Sequence, residues 1–267
     1  MKYQIGFIGA GKMGGAILSA VIREKVPAVE ALVCDARAEA LAAFSQRGAA
    51  TTSDPLDVAR ECRTVVIAVK PQDFDALLAT IAPALKKTQF VVSIAAGKTI
   101  ATMRAILGPK PRLARVMPNL AALVGEGAMA YAADTSATAR DTALLKALLS
   151  CCGRPFELDE RLFDAVTALG GSGPAFFAYA LDAMAKGGEA LGFTREAAAA
   201  IALQTMLGTA KYLSSTGQDV ESFIKAVCSP KGTTEAGMKV LARSSVATAF
   251  AKTLDAAARR GAELARG

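Results

Sequence analysis

The sequence predicts an α/β fold in two parts: an N-terminal, doubly wound parallel sheet over residues 1–160 and an all-helical domain over 161–267. Three observations carry that prediction. Short apolar runs alternate with helical patterns about ten to fifteen residues long, the signature of βαβ units. The run VVIAV is apolar without interruption, as expected of a strand buried on both faces. Beyond about residue 160 strand signals cease, and Ala/Leu-rich helical segments continue almost to Gly267.

The elements follow in order. QIGFIGAG reads as the first strand and leads into a helix from Gly11 to Glu24. ALVCDA is the second strand, followed by a helix from Ala38 to Arg47 that Gly48 closes. TVVIAVKP, a helix from Gln72 to Lys86, QFVVSIAAG and RLARVMPN come next, with weaker strand runs at GAMAYAAD and RPFELDE. In the second part, Thr194 has the hydroxyl of an N-cap, and Glu196 lies in the first turn, where the helix dipole favours an anion. Helices this apolar must bury their faces, either within a domain of about a hundred residues or by exchange between two copies. The segment SPKGTT (229–234) interrupts them with a turn rich in hydroxyls.

Composition excludes several classes. Hydrophobic residues make up 52% and charged residues 21%, enough for a large packed core and too apolar for disorder. The net charge of +7 suits anionic small ligands, but the basic residues are scattered, so no nucleic-acid partner is expected. The longest uncharged run, Ala165 to Leu181, carries three glycines and a proline, so no membrane span is expected. Strand residues begin almost at Met1, so no targeting segment is expected either. The five cysteines show no CxxC spacing, which fits reduced thiols in a cytoplasm. Histidine is absent, so no metal site is expected, and any chemistry must proceed without an imidazole.

Gly9-x-Gly11-x-x-Gly14 directly follows the first strand and opens a helix. Gly9 would make the tight turn, Gly11 would let the backbone approach a pyrophosphate, and Gly14 would let helix and strand pack closely. The helix start, through Ala10, Lys12 and Met13, would then offer backbone N–H groups to the phosphates. This is a Rossmann-type arrangement for NADPH or NADH. Asp35 lies 21 residues after Gly14, where an acid meets the ribose 2′-hydroxyl of NADH, while Arg37 would meet the 2′-phosphate of NADPH. Both readings stay open.

The chain also resembles the pyrroline-5-carboxylate reductase family over essentially its whole length. The resemblance rests on GFIGAGKMGGAI, AVKPQ (68–72), SIAAG (93–97), RVMPN (115–119), ALVGEG (122–127), GGSGPAFF (170–177) and SPKGTT followed by EAGM. It implies reduction of L-1-pyrroline-5-carboxylate to L-proline. It also implies cofactor contacts at Ala68, Val69, Lys70 and Pro71, at Ala95, Ala96 and Gly97, and at Asn119 near the nicotinamide ribose. Ser229, Gly232, Thr233 and Thr234 would bind the substrate, with Thr234 the catalytic hydroxyl beside the ring nitrogen, and the helical domain would form a homodimer or larger homo-oligomer. The chain departs from the family at Leu120-Ala121, where the family has Thr-Pro, at Lys231, where it has glycine, and at Asp35.

A cyclic imine suits a site without histidine. It enters as an iminium protonated by water, so the protein must mainly hold the C=N carbon roughly 3–3.5 Å from the hydride donor and recognise the carboxylate. Backbone N–H groups of Gly232, Thr233 and Thr234 would form an anion nest, with Gly232 giving close approach or positive φ. Two alternatives remain. A β-hydroxyacid dehydrogenase would carry GxxGxGxxxK, but from Gly170 that pattern puts Ala175 at the third glycine and Tyr179 at the lysine. A non-catalytic dinucleotide sensor would have no use for SPKGTT.

Overall fold

The structure is a computed structural model describing residues 1–266, with side chains followed to 263. The described residues form two compact units. One comprises Met1–Ser172 with the end of the chain from Ala257, and the other is Gly173–Ala256.

The first unit is built on one eight-stranded sheet in the order β3-β2-β1-β4-β5-β6-β7-β8. The strands are β1 (Tyr3–Ile8), β2 (Ala31–Cys34), β3 (Ala50–Thr52), β4 (Cys62–Ile67), β5 (Phe90–Ser93), β6 (Arg112–Met117), β7 (Gly127–Ala133) and β8 (Gly153–Glu157). The helices are α1 (Lys12–Glu24), α2 (Ala38–Gln46), α3 (Pro55–Glu61), α4 (Pro71–Ile81), α5 (Ile100–Leu107) and α6 (Ala139–Ser150). Alternate strand residues feed two cores, which is what winding on both faces requires. Phe7, Val66 and Val92 pack with Leu18 of α1, Phe44 of α2 and Leu148 of α6. Ile67 and Val91 pack instead with Val58 of α3, Phe74 and Leu78 of α4 and Met103 of α5.

Two features depart from the sequence reading. The sheet is parallel only from β3 to β6; β7 runs antiparallel to β6, and β8 is parallel to β7. Only the short stretch 118–126, a 3-10 turn over Leu120–Val124, joins β6 to β7. A parallel return needs a crossover of a dozen or more residues. The β7–β8 link contains α6 and is long enough. The second departure is the pair β3 and α3, which the sequence reading passed over. Asp54 caps α3 by accepting the Leu56 N–H at 2.9 Å, and Pro55 occupies the first helical position.

A one-turn helix, α7 (Phe163–Val166), and a π turn at Thr167–Gly171 end the main part of this unit. The second unit holds α8 (Gly173–Ala190), α9 (Arg195–Thr216), α10 (Val220–Val227), α11 (Thr233–Arg243) and the beginning of α12 (Val246–Arg266). Thr194 caps α9 through the Ala197 N–H at 3.2 Å. The helices α8 and α9 approach closely at Gly188, where a Cβ would stand 2.9 Å from the Ala198 methyl. Phe177, Tyr179 and Met184 on α8, and Leu203 and Leu207 on α9, remain exposed in the single chain. Among the described residues no helix is long and apolar enough to cross a membrane, and no acid or cysteine cluster could hold a metal ion.

Candidate functional site

The glycine turn between β1 and α1 is fixed by the strands beneath it. Gly9 N–H donates to the Cys34 carbonyl at 2.7 Å, and Ala68 N–H to the Ile8 carbonyl at 2.8 Å. Gly9 has φ +103°, and a Cβ there would stand 2.5 Å from the Ala68 carbonyl oxygen. Only glycine meets both conditions. A Cβ on Gly14 would lie 2.5 Å from the Gly9 carbonyl oxygen, so α1 rests directly on the turn. Around Gly11 there is open space: a Cβ would meet nothing within 4 Å.

A cleft of about 800 Å³ opens above this turn at the carboxyl ends of β1, β2 and β4. Gly9, Gly11 and Lys12 line it from the first turn, Asp35 and Arg37 from the second strand, and Ala68, Val69 and Lys70 from the end of β4. Ser53, Pro55 and Asp73 line it too and were not singled out in the sequence, as does Gln72, the last residue of AVKPQ. The Asp-Pro pair at 54–55 is a helix-start signal that places Ser53 at the cleft. Pro71 opens α4, and Met13 packs against the core. Ala95 is buried and Ala96 exposed in the β5–α5 link, where Gly97 has φ +75°. None of these three lines the cleft.

Asp35 does more than the sequence suggested. Its Oδ2 accepts the Ala10 N–H at 2.8 Å, so it staples the glycine turn to the end of β2. Its Oδ1 accepts the Arg37 backbone N–H at 3.0 Å and side-chain Nε at 3.1 Å. Burial works against the Asp35 charge, but the Arg37 and Ala10 hydrogen bonds and the guanidinium charge outweigh it, leaving the pKa below the ordinary 3.8. The Arg37 side chain remains 57% exposed against 10% for Asp35. Cys34 beside them is no nucleophile: burial, then the neighbouring carboxylates, push its thiol up to about 11.

Asn119 uses both ends of its amide. Nδ2 donates to the Gly170 carbonyl at 3.1 Å, and Oδ1 accepts the Ala128 N–H at 3.1 Å. It thus ties the end of β6 to the π turn and to the start of β7.

The segment SPKGTT forms a tight turn followed by α11. Gly232 N–H donates to the Ser229 carbonyl at 2.9 Å, closing a turn with Pro230 and Lys231 at its centre. The sequence reading gave Gly232 close approach or positive φ. The left-handed residue is instead Lys231, at φ 60°, while Gly232 is extended at φ −84°, ψ 173°. Gly232 is required by contact, since its Cβ would sit 2.3 Å from Ser229 Oγ. With its N–H committed to Ser229, the nest is reduced to Thr233 and Thr234, the first residues of α11. Lys231 N–H donates to Glu235 Oε2 at 2.7 Å. The Lys239 side chain and then this N–H hold the Glu235 pKa below 4.5.

Helix starts separate into two kinds. α5, α6, α9 and α10 begin with a side-chain cap from Thr99, Thr138, Thr194 and Asp219. α1, α2, α4 and α11 begin at Gly11, Arg37, Lys70 and Gly232 without one. A helix leaves its first N–H groups without internal acceptors, so an uncapped start keeps them available for an outside anion. These four uncapped starts fall on residues singled out for ligand binding, whereas the one-turn α7 also begins uncapped, at Leu162, without such a role. The open space at Gly11 and the uncapped α1 fit the pyrophosphate of a nicotinamide dinucleotide.

The chain is similar to known proteins over nearly its whole length. The sequence profile for pyrroline-5-carboxylate reductase dimerisation matches residues 160–264, and one for coenzyme F420-dependent NADP oxidoreductases matches 4–97. The dimerisation match begins where the sequence pattern changes, whereas the compact units part at Ser172. Pyrroline-5-carboxylate reductase 3 of Macaca fascicularis is 37% identical over 98% of this chain and 96% of its own. The solved pyrroline-5-carboxylate reductase of Coxiella burnetii superposes with a TM-score of 0.94 at 31% identity, covering 99% of both chains. The Plasmodium falciparum pyrroline carboxylate reductase, solved with NADP bound, superposes with 0.84 at 25% identity over 99% of both.

Proposed function

The chain belongs to the pyrroline-5-carboxylate reductase family, and from that premise we propose how its residues divide the work. The protein is an NAD(P)H-dependent oxidoreductase that reduces L-1-pyrroline-5-carboxylate to L-proline, a step of proline biosynthesis. The bound dinucleotide supplies the hydride that adds to the imine carbon.

The free N–H groups of Lys12, Met13 and Gly14 hold the pyrophosphate, with Gly9 and Ala10 shaping the turn and Gly11 leaving it room. Ala68, Val69, Lys70 and Pro71 form one wall. Asp35 accepts a ribose hydroxyl, and the exposed Arg37 meets a 2′-phosphate when one is present. Asp35 is bound on one side by Ala10 and on the other by Arg37, so the pair responds to the cofactor as a unit. Ala95, Ala96 and Gly97, in the link after β5, and Asn119, through the backbone it braces, shape the nicotinamide end.

The observation that carries the substrate assignment is the uncapped start of α11 on Gly-Thr-Thr. The N–H groups of Thr233 and Thr234 receive the substrate carboxylate, with Ser229 and Gly232 fixing the turn. Thr234 Oγ1, which makes no hydrogen bond among the described residues, accepts from the protonated ring nitrogen and keeps the C=N bond oriented. Among the described residues the site holds no histidine, and none is needed, because the substrate arrives protonated. The exposed apolar side chains of α8 and α9 support a homodimer or larger homo-oligomer, and five unpaired cysteines fit a cytoplasmic location.

Purified protein incubated with pyrroline-5-carboxylate and either NADPH or NADH should oxidise the cofactor, read as loss of the nicotinamide absorbance. Neither cofactor being consumed, under conditions where binding is demonstrated, would end the enzymatic reading.

A further inference from the structure

A second cleft, of about 580 Å³, opens at the amino ends of the strands. The six residues of β1 separate it from the glycine turn, a distance of about 20 Å at ~3.3 Å per residue. Nothing in the reductase chemistry uses it.

At its base stands Arg112, the first residue of β6. Nη2 donates to Asp141 Oδ1 at 3.0 Å and to the Thr88 carbonyl at 3.1 Å. Nε lies 2.7 Å from Asp141 Oδ2 but off line for a hydrogen bond. Asp141 is itself fixed, accepting from Thr138 N–H at 2.8 Å and Thr138 Oγ1 at 2.6 Å in the capping box of α6. This pair is rigid and nearly neutral, yet Arg112 Nη1 makes no hydrogen bond among the described residues.

Around it the cleft is lined by Lys2, Arg63 and Arg140, with Glu30 the one further acid in its lining and Glu61 near Lys2 behind it. Among the described residues neither Arg63 nor Arg140 makes an ion pair or side-chain hydrogen bond. Lys2 Nζ rests 5.0 Å from the centre of the Tyr3 ring. The dinucleotide cleft carries Lys12, Arg37 and Lys70 against Asp35 and Asp73. The amino-end cleft is therefore at least as cationic as the one that takes a pyrophosphate.

We infer that the amino-end cleft binds a multiply charged oxyanion, either a nucleotide phosphate chain or a free polycarboxylate. Guanidinium forks recognise both groups through paired hydrogen bonds. The unbalanced charge left by Lys2, Arg63 and Arg140 favours a ligand with at least two negative charges over a monoanion. The distance between the clefts lets such a ligand bind while the dinucleotide is in place.

The test uses the protein saturated with NADP⁺, titrated by calorimetry with ATP, tripolyphosphate or citrate. Saturation binding below about 1 mM by at least one of them is expected. The Arg63→Ala/Arg140→Ala double variant should weaken it about tenfold or more, with NADP⁺ affinity within about twofold of the parent as proof of folding. Binding by ATP and tripolyphosphate alone would identify a phosphate chain, and by citrate alone a polycarboxylate. Absence of binding by all three overturns the inference. So does undiminished binding in the double variant, or a ligand that NADP⁺ displaces.

Discussion

The starts of α1 and α11 present the same device through opposite constructions. Each helix begins on an extended glycine without a side-chain cap, Gly11 at φ −67° and Gly232 at φ −84°. The turn before α1 is pressed onto the sheet, and its left-handed position, at φ +103°, is filled by Gly9. The turn before α11 is exposed, and its left-handed position is filled by Lys231 at φ 60°. A non-glycine residue there costs about 1–2 kcal/mol in backbone strain. An exposed turn absorbs that cost because the lysine side chain meets no wall, whereas the buried turn would add a backbone clash to it. The comparison separates two requirements for glycine that a sequence pattern merges, conformation and contact.

The largest effect should come from breaking the buried turn. Gly9→Ala places a methyl 2.5 Å from the Ala68 carbonyl oxygen at a left-handed position. Dinucleotide affinity should fall by about a hundredfold or more, roughly 2.7 kcal/mol, and the melting temperature should drop. Gly11→Ala, with open space around it, should leave the melting temperature nearly unchanged and lose affinity only. Equal melting behaviour of the two variants would show that Gly9 is not under the constraint described.

Asp35→Ser tests whether the acid acts on the cofactor or only as a staple. It removes the charge that repels a 2′-phosphate and frees Arg37, so kcat/KM for NADPH relative to NADH should rise about tenfold, ~1.4 kcal/mol. An unchanged ratio with a lower melting temperature would reduce Asp35 to its bond with Ala10.

Lys231→Gly should give the smallest change. Relief of the left-handed strain, set against the greater freedom of glycine in the unfolded chain, leaves a stabilisation of about 0.5–1 kcal/mol. Denaturant unfolding measures it. A destabilisation would mean that the lysine side chain holds the turn.

Legibility followed the same division. The parallel strands were readable because a strand buried on both faces must be continuously apolar, as Val65, Val66 and Ile67 are. The glycine turn was readable because its residues serve local backbone needs. β3 escaped because Ala50–Thr52 is three residues long and only half-buried, and the reversal of β7 depends on the shortness of 118–126 more than on any residue type. Long-range side-chain bonds had no local signature. Neither the Asp35–Ala10 contact nor the double use of the Asn119 amide could be read from spacing. Nor could the shift of positive φ from Gly232 to Lys231, since a left-handed third position after proline favours glycine and the nearest glycine lies one residue later.

The most direct test is a single turnover with NADPH already bound, comparing the parent with Thr234→Ala. Expected is a hydride-transfer step slower by about tenfold to a hundredfold, ~1.4–2.7 kcal/mol, with NADPH affinity within about twofold. An unaltered transfer rate, or a loss confined to NADPH affinity, would contradict the assignment of Thr234 to the imine and leave the start of α11 without its proposed role.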